Sequence, residues 1–412
     1  MSKLGDYAGF LRRNLTVPLP GALAYVPAIV AALGCAVALR SSPRRSLGLI
    51  GFFLCASLGS VLYFNLPEHW FRTLDRHYLP SLVLLTPFMA TGGAASLRLA
   101  IGARGLAGPA LAIGLGGLLA IAPIRSWAVN RRACDLARVR YAETFGRNLL
   151  EPLERDAILL TNGDNDTFPL WYLQEVEGAR RDVTVINLPT ANLGWWIAQL
   201  RRGDPRYARL LEGERGMDVL EPVRLPDSTV TLPVAPDAPL GIRQPASRPA
   251  AVTFSISGRL YGDDRVVLDL LRIERWRRPL YIACTVTRDQ VPWFWPYARL
   301  DGLAFRVVPS ADPTAWDVDH ARRQLTEKMT YAGLADSTVA MDQDSQLMSR
   351  NYLASFIQVA LAQIDRGDAH GCLDTLAFLE AHVPLARLGA PADLVDGLRA
   401  RAEAELSSTR QP

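Results

Sequence analysis

The sequence predicts a multi-domain protein in which a bundle of about four transmembrane α-helices precedes an α/β domain and a carboxyl-terminal helical region. Three observations lead to this prediction. Four long stretches near the amino terminus lack Asp, Glu, Lys and Arg. Strand and helix patterns alternate after them, and helical periodicity fills the last quarter of the chain. The 49% hydrophobic content of the 412 residues is therefore concentrated at one end.

The uncharged stretches predict membrane spans at 21–39, 46–66, 77–97 and 105–124. Each has about 19 to 21 residues, which at a rise of about 1.5 Å per residue crosses a hydrocarbon core of about 30 Å. The alternative, four buried helices of a soluble protein, is disfavoured because uncharged runs of this length recur four times. We therefore expect an interfacial helix at 1–20 and a transmembrane bundle at 21–126.

The arginines between spans predict how the bundle faces the membrane. The turns after spans one and three carry Arg and no acidic residue, at Arg40, Arg44, Arg45, Arg98 and Arg104. The positive-inside rule places such turns in the cytoplasm, although basic residues at both ends of the bundle favour the reverse. We expect an integral protein of the cytoplasmic (inner) membrane whose large domain is extracytoplasmic, and periplasmic in a bacterium with two membranes.

The α/β domain is predicted at 127–316. A buried strand at 157–161, a helix ended by Gly178 and a β-branched strand at 182–188 form a βαβ unit, which implies a parallel strand pair. The aromatic run at 293–297 predicts a packed loop, with membrane docking or stacking on sugar rings as the alternatives. Beyond it, 317–412 is predicted to be helical, with a helical hairpin at 352–365 and 370–382.

The sequence NGDNDT supplies the first group of candidate site residues, which are Asn162, Asp164, Asn165, Asp166 and Thr167. They follow a strand and precede a helix, the position where open α/β sheets bind ligands. Asn and Asp also form tight turns, and Asp166 or Thr167 can cap the helix. The D-x-D spacing could hold a divalent cation. We expect a structural loop, with substrate contact as the alternative, and neither a metal nor a cofactor.

The second group lies between spans two and three. Arg72 and Arg76 are four residues apart and would face the same way on a helical turn, with Asp75 beside them. Two guanidinium groups can hold a lipid phosphate. The alternative is an interfacial belt that only anchors the helix.

Composition excludes several other classes of function. Arginine is spread along the chain rather than gathered into a stripe, so we expect no nucleic-acid partner. The five cysteines are scattered and show no zinc-binding spacing. No catalytic residue is predicted from spacing.

Five segments carry a family resemblance. They are LDRHYLP at 74–80, LLTNGDNDTFPLWYLQEVEGARRDVTVINL at 159–188, VLDLLRIERWRRPLYIACTV at 267–286, LDGLAFRVVP at 300–309 and the carboxyl-terminal helical pair starting at Asn351. With them the chain resembles the carboxyl-terminal part of the multi-spanning protein O-mannosyltransferase-like family, which has the GT-C membrane glycosyltransferase fold. The resemblance implies a partial GT-C-like bundle. It also implies transfer of a sugar from a lipid-phosphate donor, such as a polyprenyl-phosphate sugar, to an acceptor.

The resemblance leaves catalysis open. GT-C enzymes place a catalytic acid in the first outer loop of a longer membrane region, and no residue here matches it. The resemblance therefore implies that the catalytic amino-terminal half is missing, supplied by a partner chain that carries the missing spans, or lost. The alternative is a non-catalytic, membrane-anchored binding or scaffold protein.

Overall fold

The computed structural model describes residues 3–63, 75–102, 107–131, 134–214, 218–224, 229–241, 248–256, 258–312, 314, 316–339, 341–389 and 392–409. The chain divides into two compact units, with the division between Ala137 and Arg138. The first unit contains the apolar helices, and the second contains the α/β domain and the carboxyl-terminal helices. The predicted fold class is confirmed.

The helices of the first unit form four candidate membrane spans, Gly21–Ser41, Pro43–Tyr63, His77–Ile101 and Gly108–Asn130. Only 6 to 17% of the residues in their most apolar windows are buried, so most apolar side chains face outward, as lipid requires. The elements in chain order are α1 (Lys3–Leu15), a 3₁₀ turn (Gly21–Tyr25), α2 (Val26–Ser41), α3 (Pro43–Leu54), a π turn (Cys55–Gly59), α4 (Ser60–Tyr63), α5 (Asp75–Ile101) and α6 (Ala107–Asn130).

Helix α1 packs against α5 through aromatic side chains. It lies within the predicted interfacial segment. The ring of Tyr78 on α5 lies 5.0 Å from that of Tyr7 and 5.4 Å from that of Phe10, measured between centroids. Val61 on α4 completes this small buried cluster. Edge-to-face aromatic contacts of this kind add to the stabilisation from burial.

Helices α2 and α5 cross where glycine allows their backbones to touch. A Cβ atom on Gly92 would lie 1.9 Å from the carbonyl oxygen of Val30, and one on Gly34 would lie 1.7 Å from that of Phe88. Small residues at a crossing permit the close packing that holds helices together in lipid.

The second unit begins with a helix and an alternating α/β region. Its elements are α7 (Tyr141–Leu150), β1 (Ile158–Thr161), α8 (Asp164–Glu175), β2 (Thr184–Asn187), α9 (Leu188–Ala191), α10 (Gly194–Gly203), β3 (Val223–Arg224), β4 (Thr229–Pro233), β5 (Ala251–Ser255), β6 (Arg259–Leu260), α11 (Gly262–Glu274), β7 (Leu280–Ala283), β8 (Ala298–Asp301) and β9 (Ala304–Val307).

The main sheet has five strands in the order β2-β1-β7-β9-β8. Strands β2, β1 and β7 are parallel, whereas β9 is antiparallel to both of its neighbours. The predicted βαβ unit is confirmed, because β1 and β2 pair in parallel from Ile158 opposite Thr184. Every residue of β1 and β7 is buried, as is typical of strands covered on both faces. Separate two-stranded sheets join β3 to β6 and β4 to β5.

Two local predictions were wrong. Helix α8 begins at Asp164, three or four residues earlier than capping by Asp166 or Thr167 requires, and Gly163 occupies the cap position with φ of 102°. Strand β8 at Ala298–Asp301 was not predicted. The aromatic loop that precedes β8 does pack on the core, since Trp293 and Phe294 are buried.

The carboxyl-terminal region is helical, and its predicted hairpin is confirmed. Gly367, with φ of 79°, lies in the turn between the two helices of the hairpin, and Asp368 caps the second by accepting the N–H of Gly371 at 2.9 Å. The helices are α12 (Val318–Arg323, continued by a π turn at Gln324–Lys328), α13 (Gln343–Asp365), α14 (Ala369–His382), α15 (Leu385–Leu388) and α16 (Ala392–Thr409).

Candidate functional site

The candidate site lies at one edge of the main sheet. The parallel strands β1, β2 and β7 all end there, so the segments that follow them come together. Asn162 follows β1, Asn187 ends β2 and Thr285 follows β7. We call these residues, together with Gly163–Thr167, the carboxyl edge.

Asp166 joins two of these segments. Its carboxylate is 1% exposed and accepts hydrogen bonds from the backbone N–H of Asn162 at 2.8 Å and from the hydroxyls of Thr167, at 3.1 Å, and Thr285. The Asn162 and Thr285 donors reach one oxygen and the Thr167 donor reaches the other. The carboxylate therefore braces the loop after β1 against the segment after β7.

Asn187 connects the third segment, the end of β2, to this hydrogen-bond network. Asn187 was not predicted as a site residue from the sequence. Its side-chain amide donates to the Thr167 hydroxyl at 2.9 Å and to the carbonyl oxygen of Gly163 at 3.0 Å. Thr167 is fully buried and shares a further 2.7 Å hydrogen bond with Thr161. A polar residue at the end of the apolar strand TVIN was the signal that could have pointed to Asn187.

Asn162 links the carboxyl edge to a neighbouring cavity through a hydrogen bond. Its amide donates to the carbonyl oxygen of Thr285 at 3.2 Å, and its side-chain oxygen accepts from Gln290 at 2.6 Å. Gln290 lines a cavity of about 380 Å³ between strand β5, the start of helix α11 and the aromatic loop. The cavity was not predicted from the sequence.

Two aspartates at the start of α11 have weakened acidity. Burial, with a smaller contribution from the neighbouring Asp264 carboxylate, raises the pKa of Asp263 to about 6. Burial also raises the pKa of Asp264, although its carboxylate accepts the indole N–H of Trp293 at 2.9 Å. Asp264 lines the cavity.

Asp164 and Asn165 differ from Asp166 in their surroundings. Asp164 is exposed and Asn165 is half-buried, so the two carboxylates of the D-x-D spacing lie in different environments. Within the described ranges, no group of three or more His, Cys, Asp or Glu side chains could hold a metal ion.

Helix α8 presents aromatic side chains beside this loop. Phe168 is 55% exposed and Tyr172 is 50% exposed, and the rings of Phe168 and Trp171 stack with centroids 5.6 Å apart. These side chains are available for contact with another molecule.

The candidate lipid-phosphate residues are placed only in part. Arg72 lies outside the described residues. Asp75 and Arg76 are the first residues of α5, and their side chains are outside the described part of the structure. Their contact with a phosphate stays a prediction.

The fold and the site together define a membrane protein in which apolar helices precede an α/β domain with a polar carboxyl edge. Residues 142–207 and 223–326 match the family described as TMEM260-associated domain 2. These ranges contain the whole carboxyl edge and every residue named above around the cavity. Over these ranges, which make up less than half of its length, the chain is similar to that family.

One relative is the mouse (Mus musculus) protein O-mannosyl-transferase TMEM260, which is 33% identical over 76 residues. The aligned part covers 18% of this chain and 11% of the mouse protein. No solved structure matches the chain significantly. The chain is thus similar to a protein O-mannosyl-transferase over a small part of that protein's length.

Proposed function

We propose that this protein provides the late membrane part and the extracytoplasmic domain of a membrane glycosyltransferase system. The system would transfer a sugar from a polyprenyl-phosphate donor to a hydroxyl group of an acceptor. The observation that carries the proposal is the family match, whose ranges contain the carboxyl edge. The printed name of the mouse relative supplies the type of reaction.

The proposed location is the cytoplasmic membrane, with the α/β domain on the outer side. A single residue, Ser42, separates α2 from α3, and Arg40, Arg44 and Arg45 flank it. A turn this short and this basic is typical of the cytoplasmic side. With four spans, the chain then leaves the membrane on the opposite side.

The proposed contacts with the donor come from Arg72 and Arg76, with Asp75 orienting them. A guanidinium group binds phosphate oxygens through two parallel N–H donors. When the sugar leaves the donor, negative charge grows on the lipid phosphate, and two arginines at the membrane surface would stabilise it.

The carboxyl edge has a different proposed role. Asp166 is buried and both of its carboxylate oxygens accept hydrogen bonds. Its side chain therefore stabilises the loop and is not available as a general base. The exposed neighbours, Asp164 and the aromatic side chains of α8, are the groups that can contact an acceptor. The catalytic acid would then come from a partner chain that supplies further spans.

Replacement of Arg76 tests the donor contact. In cells that lack the native gene, Arg76→Ala should abolish transfer of sugar to the acceptor, while the protein still accumulates in the membrane. Arg98→Ala is the matched control, because Arg98 lies in the last turn of the same helix. Acceptor glycans are measured by mass spectrometry and protein by immunoblotting of membranes. Equal glycan levels in both variants would remove Arg76 from the proposed site.

A non-catalytic scaffold is the second candidate function. It is favoured by the exposed aromatic side chains of α8 and by the fully bonded carboxylate of Asp166. Under this function, deletion of the gene lowers acceptor glycans, whereas both Arg76→Ala and Arg98→Ala restore them. The experiment above therefore separates the two functions.

A further inference from the structure

We propose that the cavity beside Gln290 binds a neutral sugar. Binding of a sugar in this cavity does not require that this chain catalyse sugar transfer. Only the choice of mannose as the first probe rests on the proposed function. We call this cavity the aromatic-loop cavity, after the Pro292–Tyr297 segment that forms one wall.

The size and apolar lining of the cavity suit one or two sugar rings. Its volume of about 380 Å³ lies in the range of small-molecule sites, about 300–1,000 Å³. Tyr261 at the cavity is 55% exposed, and Tyr297 is half-buried with its hydroxyl held by the carbonyl oxygen of Thr253 at 2.9 Å. An aromatic ring fixed in this way offers a flat apolar surface to the C–H face of a sugar.

The polar groups of the cavity are held in position before any ligand binds. The carboxylate of Asp264 is 7% exposed and is fixed by the indole N–H of Trp293 at 2.9 Å and by the backbone N–H of Tyr261 at 3.0 Å. The amide of Gln290 is fixed by Asn162 at 2.6 Å and by the N–H of Thr287 at 3.0 Å. Prepositioned groups lose little freedom when a ligand binds.

Arg259 is a polar group of the wall that remains available. Its side chain lines the cavity, is exposed, and makes no hydrogen bond or ion pair with the residues that the structure describes. A guanidinium group has only donors, whereas a carboxylate has only acceptors. The wall thus offers both donors and acceptors.

The balance of charge indicates a neutral ligand. The described wall has one cation, Arg259, and two carboxylates, Asp264 and Asp289. A phosphate or carboxylate ligand would meet two like charges, and a purely apolar ligand would leave polar groups without partners at a free-energy cost. Sugar hydroxyls both donate and accept, so a neutral sugar satisfies donors and acceptors together.

The position of the cavity connects it to the carboxyl edge. Gln290 bonds Asn162, which in turn bonds the segment after β7. A sugar held here would therefore lie one side chain away from the loop that the proposed function assigns to the acceptor. The ligand class that fits this position is a sugar on the acceptor, or a sugar being added to it.

Binding is tested with the full-length protein in lipid nanodiscs. Maltoside and glucoside detergents must be avoided, since their head groups are sugars themselves. Saturation-transfer difference NMR is recorded with methyl α-mannoside, methyl α-glucoside and inorganic phosphate as probes. We expect a saccharide signal and none from phosphate. Tyr261→Ala should weaken saccharide binding by about tenfold, the usual effect of losing one aromatic contact.

Tyr25→Ala is the matched control, because Tyr25 is also a half-exposed tyrosine but lies in the first unit, outside the cavity lining. Arg259→Gln, a second variant at an exposed position, should also weaken binding. Absence of any saccharide signal, a stronger signal from phosphate, or equal weakening by Tyr261→Ala and Tyr25→Ala would overturn the inference. Arg76→Ala should bind the saccharide normally, so loss of the donor contact and loss of this site are distinguished.

Discussion

Asp166→Ala removes the acceptor that three side-chain and backbone donors share. The Thr167 hydroxyl keeps Thr161 as a partner at 2.7 Å, so its loss is small. The N–H of Asn162 and the hydroxyl of Thr285 lose the acceptor that they share. The variant therefore leaves two donors unpaired at the junction of the β1 and β7 segments.

The expected loss of stability follows from these two donors. A buried donor without a partner costs about 1–3 kcal/mol, and both donors here are only partly buried, so we expect about 2–4 kcal/mol in total. For a unit of this size, each kcal/mol lowers Tm by about 2–4 °C. Asp166→Ala should therefore lower the Tm of the α/β unit by about 4–16 °C.

Asp164→Ala is the matched control, because it removes the same charge two residues away. Asp164 is exposed in the first turn of α8, where a carboxylate contributes only about 0.3–1 kcal/mol through the helix dipole. Its Tm should fall by no more than about 4 °C. Tm is measured for the detergent-solubilised protein by intrinsic tryptophan fluorescence, with and without Mn²⁺. Equal falls in the two variants, or a rise with Mn²⁺ in the wild type alone, would show that the two aspartates act as a pair.

Two further predictions concern other parts of the chain. His320 lies 3.2 Å from the Asp301 carboxylate, whose hydrogen bond raises the pKa of His320. The stabilisation is therefore complete below about pH 6.5 and is lost as pH rises through the raised pKa, so His320→Gln should lower Tm at about pH 5.5 and much less at about pH 8.5. In the membrane unit, Gly92→Ala places a Cβ 1.9 Å from the Val30 carbonyl oxygen and should destabilise by about 1–3 kcal/mol, whereas Gly114→Ala meets nothing within 4 Å. Heat-induced aggregation of the two alanine variants in detergent checks this difference, and equal aggregation temperatures would contradict it.

The spans could be predicted because lipid imposes a local rule. A stretch that crosses the hydrocarbon core must be long, apolar and helical by itself, so a window of the sequence contains the whole argument. The βαβ unit was predictable for a similar reason, since strand, turn and helix signals follow one another within 157–188.

Strand β8 could not be predicted because two of its four residues are charged, and two partners of Arg299 lie 11 and 13 residues later in the chain. The sequence Ala298–Asp301 contains Arg299 and Asp301, and both are buried. Arg299 donates to the carbonyl oxygens of Ser310 and Asp312, at 3.1 Å and 2.7 Å, so its charge is accommodated beside the sheet. Nothing in the four residues themselves signals these partners.

The sequence indicated where the loop after β1 lies, between a strand and a helix, but it did not indicate the role of each residue in that loop. The spacing of Asp164 and Asp166 suggests equivalent carboxylates, yet one is exposed and the other is buried. The difference arises from Thr285, which lies 119 residues later in the chain and reaches Asp166 only because β7 pairs with β1. Sheet order therefore determines which aspartate is structural, and sequence spacing cannot supply it.

Recognition by the α/β unit depends on groups that the carboxyl edge leaves without hydrogen-bond partners. The buried side chains of the carboxyl edge have their hydrogen-bonding groups occupied by one another, so they form a rigid support and offer little to a ligand. The groups that remain available lie beside it, in Arg259 at the cavity and in the exposed aromatic side chains of α8. A support of this kind holds a ligand in a fixed position without taking part in bond breaking. This division agrees with the proposed function, in which the charge of the leaving phosphate is stabilised at the membrane and the α/β unit presents the acceptor.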